Sequence, residues 1–131
     1  MDALRYAILH HQDRAGEHWD FLLEQAAMLA TWKFPRDPTA PDVLPIEGAR
    51  IADHRKAYLD YEGPVSADRG HVRRVDGGAC EILESGEVAW RFELRGTRLN
   101  GRFTLRICGT EPRRWRLAAD VGGSPQGRQG D

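Results

Sequence analysis

The sequence is short of several things, and each shortage excludes a class of protein. Cysteine occurs twice, as Cys80 and Cys108, far apart and in no CxxC spacing. That is too few for a disulfide framework and too scattered for a cysteine-built zinc site, so both read as buried, reduced thiols. No apolar run approaches the length that spans a bilayer. The opening Met1-Asp2-Ala3-Leu4-Arg5 lacks the basic and apolar regions of a secretory leader, so a cytoplasmic location without a membrane partner is expected. Lysine is scarce, with only Lys33 and Lys56 among 19 basic residues. An excess of one charge is also missing. The formal net charge of −1 excludes a generic polycation.

What is present fits one ordinary folded domain. The chain has 131 residues, 40% hydrophobic and 30% charged, enough to build a core without a covalent staple. The pattern is rich in strands. Leu4 to Leu9 and Met28 to Phe34 are apolar runs, the second stopped by Pro35. His18 to Glu24 alternates, with Trp19, Phe21 and Leu23 on one side and His18, Asp20, Leu22 and Glu24 on the other. Val88, Trp90, Phe92 and Leu94 alternate with Ala89, Arg91, Glu93 and Arg95, and Gly101 to Ile107 repeats the pattern. Trp115 to Ala118 reads as a last strand. Asp76-Gly77-Gly78 and Glu84-Ser85-Gly86-Glu87 read as hairpin turns. A short helical turn is expected near Arg55 to Leu59. Many short strands in one domain imply a mainly β barrel or sandwich over residues 1–120, with residues 121–131 as a Gly/Ser/Pro/Gln-rich disordered tail.

The histidines are few: His10, His11, His18, His54 and His71. On a strand, positions i and i+2 share a face, so His18 and Asp20 project together while Trp19 and Phe21 pack inward. A histidine from the end of the preceding strand, His11 or His10, would close the group. Two imidazoles and a carboxylate leave open positions on a divalent metal such as Mn²⁺ or Zn²⁺, as a catalytic metal requires. Exposed polar residues near a turn account for the same spacing. His71 has no such company and reads as a surface residue. The arginines crowd between Trp90 and Leu117. Their planar forks suit phosphate, although a solvated sheet face explains them equally well.

Taken in order, several segments resemble one known family. Tyr6 to Glu24, YAILHHQDRAGEHWDFLLE, is similar to a signature in which a histidine precedes H-Y-D-F-R-L-E. Leu29 to Pro38, LATWKFPRDP, is similar to L-x-S-W-A-V-P-K-G-P, and Ala52 to Gly63, ADHRKAYLDYEG, to E-D-H-P-L-x-Y-x-x-F-E-G. Phe92 to Leu105, FELRGTRLNGRFTL, is similar to F-x-L-x-G-x-K-L-x-G-x-F-x-L, and Arg114-Trp115-Arg116-Leu117 resembles a closing strand. Together they resemble the motifs of the 3′-phosphoesterase domain of bacterial DNA ligase D.

The resemblance implies a compact single-domain β-barrel with short helical segments, expected to be a monomer. It also implies Mn²⁺-dependent removal of 3′-terminal ribonucleosides and 3′-phosphates from nucleic acid ends, in DNA repair beside a ligase and polymerase. Mn²⁺ could be replaced by Zn²⁺ or another divalent ion. His11, His18 and Asp20 fall on the family's metal ligands, with His10 as rival, and a small insertion near Ala15-Gly16 is expected from the wider His11–His18 spacing. His54 and Tyr58 fall on phosphate-contacting positions, and Glu24 on a carboxylate that supports the ligands. The chain departs from the pattern where Leu22 and Ile46 replace arginines, where Arg55 replaces a proline, and where Arg69-Gly70-His71-Val72 replaces a glycine-rich stretch. Arg14, Arg50 and Arg55 are candidate substitutes, and Arg91, Arg95 and Arg102 candidate tracks for a nucleic acid backbone. Leu22 and Ile46 favour one alternative, a weakened metal- or phosphate-binding module recruited to nucleic acid ends. An overall charge that is not strongly basic favours another, a phosphoesterase for a small phosphorylated substrate.

Overall fold

The computed structural model of the chain describes residues 3–111 and 113–120; the tail expected over 121–131 lies outside them. The strands are β1 (Leu4–Asp13), β2 (Gly16–Glu24), β3 (Leu29–Phe34), β4 (Ile46–His54), β5 (Gly63–Pro64), β6 (His71–Glu84), β7 (Ala89–Gly96), β8 (Asn100–Ile107) and β9 (Arg114–Ala119). One 3₁₀ turn, η1 (Lys56–Leu59), lies among them. Pairing runs β1-β2-β3-β4-β9-β8-β7-β6, all antiparallel, and β6 pairs back to β1. Eight strands therefore close an antiparallel barrel, as expected, and the two-residue β5 hangs on β6. Closure removes the unpaired edges that an open sheet would expose. Among the described residues, no helix is long and apolar enough to cross a membrane.

The barrel interior is filled by Tyr6, Ile8, Phe21, Leu23, Trp32, Phe34, Phe92, Leu94, Phe103, Leu105, Trp115 and Leu117. Each such side chain contributes roughly 1.5–3 kcal/mol on burial. The alternation read in β7 and β8 holds, although Val88, just before β7, is 60% exposed. The first two strands differ from the rest. Ala7, Leu9 and Leu22 have the opposite parity, yet they are buried too, in a second cluster with Leu29, Leu59, Val65 and Val72. Residues 55–72 thus lie across the outside of β1, β2 and β3. This cover explains why Tyr6 to Leu9 reads as an unbroken apolar run, since a strand buried on both faces has no polar side.

The hairpin expected at Asp76-Gly77-Gly78 is not a turn. His71 to Glu84 is one continuous strand, bent by a bulge where Ile8 and Leu9 pair with Asp76 and Arg74. The glycines serve close approach instead. A Cβ on Gly78 would stand 2.2 Å from the Arg95 carbonyl oxygen. Asp76 is buried and accepts four hydrogen bonds. The backbone N–H groups of Thr97, Arg98 and Leu99 donate at 3.1, 3.0 and 2.8 Å, and the Tyr6 hydroxyl at 2.6 Å. Burial, then this bond, pushes the Tyr6 phenol far above its ordinary range, so it stays a donor. Cys80 is buried and Cys108 half-buried, and both are free thiols. Burial pushes the Cys80 thiol up to about 12, which leaves it unreactive.

Candidate metal centre and cleft

The β1–β2 hairpin builds the centre. Asp13 Oδ1 accepts the backbone N–H groups of Ala15 and Gly16 at 2.8 and 3.2 Å, and a tight Arg14-Ala15 turn closes the pair. The register is continuous to Asp13 opposite Gly16, so no residue bulges out near Ala15-Gly16. That register sets His11 opposite His18 and Leu9 opposite Asp20. The two imidazoles lie side by side at 4.7 Å, and Asp20 shares their face one pleat along β2. One ligand atom from each of His11, His18 and Asp20 falls within a 4.8 Å group. His10 has the opposite parity; it stacks on Trp19 at 4.5 Å and bonds Glu17 at 2.8 Å.

The hydrogen bonding around the trio suits a cation. Asp20 is 2% exposed, and its Oδ1 is buried without a hydrogen-bond partner. His18 Nε2 is 3.1 Å from that oxygen but lacks the alignment of a hydrogen bond. Two groups that face a common centre, not each other, have this geometry. His11 Nδ1 lies 3.7 Å from Asp20 Oδ2. Its Nε2 donates to the Arg69 carbonyl at 2.7 Å, which leaves the Nδ1 lone pair free for a metal. Gly70 makes that contact available. Its φ of +83° and a Cβ position 1.9 Å from the Gln12 carbonyl oxygen let only glycine bring residue 69 so close.

His54 arrives by a different route. Arg50 faces the barrel interior, and simple alternation would send His54 there too. A bulge in β4 sets Ile51 opposite Thr31 and His54 opposite Leu29, which turns His54 onto the outer face. Its Nδ1 donates to the Ala52 carbonyl at 3.1 Å, and its Nε2 stands 4.0 Å from Asp20 Oδ2. A cleft of about 400 Å³ opens here, lined by His11, Asp20, His54, Arg55, Tyr58 and Arg69, with Leu9, Ile51, Val65 and Val72 among its apolar walls. His18 borders a neighbouring groove with Lys33 and Arg114.

The remaining sequence candidates scatter. Glu24 accepts the Arg5 backbone N–H at 2.8 Å and pairs with Lys56 at 3.0 Å. It lies four residues from Asp20, about 13 Å along a strand. Arg14 pairs with Asp68 at the exposed hairpin tip. The Arg50 guanidinium stacks 4.6 Å over Trp32 and 5.5 Å from Trp90. Arg91 pairs with Glu84 and Asp120, and Arg95 and Arg102 with Glu93. Strand β6 separates β7 from β1, and neither Arg91 nor Arg95 lines the cleft beside the trio. His71 is exposed on β6. Leu22 is sealed in the outer apolar cluster, and Ile46 in the core.

Lys33 escaped the sequence reading. It is exposed, directly opposite Asp20 across the β2–β3 pair, and forms no ion pair among the described residues. Its signal is the β2–β3 register, which no local pattern states.

Among the described residues, a closed β-barrel with one His–His–Asp constellation on its outer wall sets the class of the domain. The comparison with known families narrows it. The DNA ligase D 3′-phosphoesterase domain matches residues 9–106, and the chain belongs to this family. It is 32% identical over 112 residues to the multifunctional non-homologous end joining protein LigD of Pseudomonas aeruginosa. That alignment takes in 78% of this chain but 13% of the relative.

Proposed function

We propose that this domain is a metal-dependent phosphoesterase that processes 3′ ends of nucleic acid, removing a terminal ribonucleoside or phosphate in end joining. The observation that carries the reading is the orphaned Asp20 carboxylate oxygen grouped with His11 and His18 at the wall of the cleft. His11, His18 and Asp20 would hold the divalent ion, with Mn²⁺ the proposed metal. When bound, such an ion neutralises phosphate oxygens and lowers the pKa of coordinated water.

The chain's own residues supply the rest. The Arg69 carbonyl orients the His11 ring. His54 Nε2, free of the Ala52 bond, faces the cleft, where it can donate to a phosphate oxygen or to the leaving oxygen. Tyr58 and Arg55 border the same space and position the phosphate. Lys33 supplies a cation on the His18 side, a role that Leu22 cannot fill from within an apolar cluster. Glu24 acts at a distance, holding Lys56 of η1 and the start of β1, and so the cover. Nucleic acid ends, and a ligase and polymerase of an end-joining pathway, are the proposed partners.

The sealed positions of Leu22 and Ile46 support a second reading, a module that binds metal and phosphate without turnover. A labelled primer–template ending in one 3′-ribonucleotide or a 3′-phosphate, incubated with Mn²⁺ and with EDTA, separates the two. Metal-dependent shortening or phosphate loss is the expected result. Tight metal binding without product would establish the module instead.

A further inference from the structure

Beside the cleft, and sharing its Arg55 and Tyr58, lies a second pocket of about 270 Å³ completed by Ala57, Tyr61, Pro64 and Ser66. We propose that it is a stacking subsite for the base of a terminal nucleotide whose phosphate occupies the cleft. The inference rests on the phosphate reading of the cleft and adds the chemistry of what hangs from that phosphate.

Three observations converge on a flat, uncharged ring as occupant. First, the walls are aromatic and cationic. Tyr58 and Tyr61 meet edge to face, with centroids 5.6 Å apart and planes at 83°. The Arg55 guanidinium carbon lies 5.8 Å from the Tyr58 ring centre. Aromatic and guanidinium planes are the surfaces on which bases stack. Second, the walls are already fixed. Both tyrosines pack on the outer apolar cluster, and the Tyr61 hydroxyl donates to the Pro64 carbonyl. A rigid platform gives up little freedom on binding. Third, two of the pocket's acceptors are already taken: Pro64 O receives Tyr61, and Ser66 Oγ receives Arg69 at 3.1 Å. Stacking on ring faces is tolerant of base identity, so the subsite accepts any base by its face.

The connection across Tyr58 favours a nucleotide over other planar ligands. One side of this residue faces the phosphate cleft with His54, and the other faces Tyr61. A nucleoside monophosphate has this layout, an anion and a planar ring separated by a sugar. Arg55, which borders both pockets, can meet phosphate on one side and base on the other.

Adenosine 5′-monophosphate and ribose 5-phosphate differ only in the base, and calorimetric titration of both into the Mn²⁺-treated protein isolates its effect. The nucleotide is expected to bind about tenfold more tightly, the scale of one stacked base. Cytidine 5′-monophosphate should show a similar gain. Tyr61→Ala should erase the gain, and Tyr61→Phe, which keeps the ring, should retain it. Equal affinities in the unaltered protein would overturn the subsite while leaving the phosphate cleft standing. A Tyr61→Ala effect of equal size on both probes would overturn it too, by marking Tyr61 as structural. Binding of neither probe would remove the cleft reading and the subsite together. If Tyr61→Ala does not fold, ring-proton shifts decide in the unaltered protein. The nucleotide must move Tyr58 and Tyr61 resonances that ribose 5-phosphate leaves in place.

Discussion

Two walls of one barrel invite comparison. The wall of β7, β8 and β9 carries six arginines on its strands, and it is the wall a search for phosphate contacts favours. Most of its charges are answered: Arg91 by Glu84 and Asp120, Arg95 and Arg102 by Glu93, and Arg114 and Arg116 by Glu47 of the adjoining β4, while Arg106 forms no ion pair among the described residues. The wall of β1 to β4 has fewer cations, but groups without partners collect there. Asp20 Oδ1 has no donor, and Lys33 forms no ion pair among the described residues. Counting charge thus points to one wall, and the unanswered Asp20 oxygen points to the cleft on the other. A paired surface charge has already found its solvent-screened partner, whereas a buried oxygen without a donor calls for a ligand.

The largest effect that tests this contrast is loss of the trio. His18→Ala should lower metal-dependent turnover by more than about 100-fold, beyond what groups supporting a ligand usually contribute. Calorimetry should show metal binding weakened in parallel, with the melting temperature of the metal-free protein nearly unchanged. Retained turnover would remove His18 from the centre. Next in size is Asp76→Ala, away from the cleft. It strands three backbone donors and leaves the Tyr6 hydroxyl only the longer contact to the Leu99 carbonyl at 3.3 Å, and should destabilise the fold by roughly 3 kcal/mol or more in urea denaturation. Activity per folded molecule should persist. The two substitutions should therefore separate function at the trio from stability in the barrel interior.

How much of this was legible in the sequence follows from the range of each interaction. Strand alternation is local, so the inward side of Trp90, Phe92 and Leu94 is legible from β7 alone. The shared face of His18 and Asp20 is likewise a two-residue property. The glycines at 77 and 78 misled because a tight turn and a close approach to Arg95 both call for a missing side chain. Burial of Leu22 depends on residues 55–72 folding over it, a contact some forty positions away. Lys33 and the β4 bulge depend on register between strands. Family resemblance located His54 by position, while the reason it faces outward, one extra residue between Ile51 and His54, appears only with the β3 pairing.

Lys33 and Arg95 make the sharpest paired test of the two walls. Lys33→Ala should raise KM for a 3′-phosphate end by about tenfold, the value of one charge-assisted contact. Arg95→Ala, already paired with Glu93, should change KM less than about twofold. Raising salt should narrow the difference between Lys33→Ala and the unaltered protein, because screening weakens an exposed cation. Equal effects at the two positions would collapse the distinction between answered and unanswered charge.

The smallest expected effect concerns the attachment of the cover. The Arg5 fork donates two hydrogen bonds to Asp60, at 3.0 and 2.9 Å, and so ties β1 to the residue after η1. These bonds hold the Asp60 carboxyl below its ordinary range and raise Arg5 above its own. A depressed carboxylate contributes stability above its unfolded pKa, and loses it as pH falls through the lower folded value. Asp60→Asn should therefore remove a small part of the acid dependence of stability. Both side chains are well exposed, so the change should not exceed about 1 kcal/mol at neutral pH. The informative readout is hydrogen exchange of the Tyr58 and Tyr61 amides. Faster exchange there, with barrel strands unchanged, would show that the pair secures the cover over the cleft. Uniform exchange would mean that Leu59, Val65 and Val72, buried against Leu9 and Leu22, hold the cover without it.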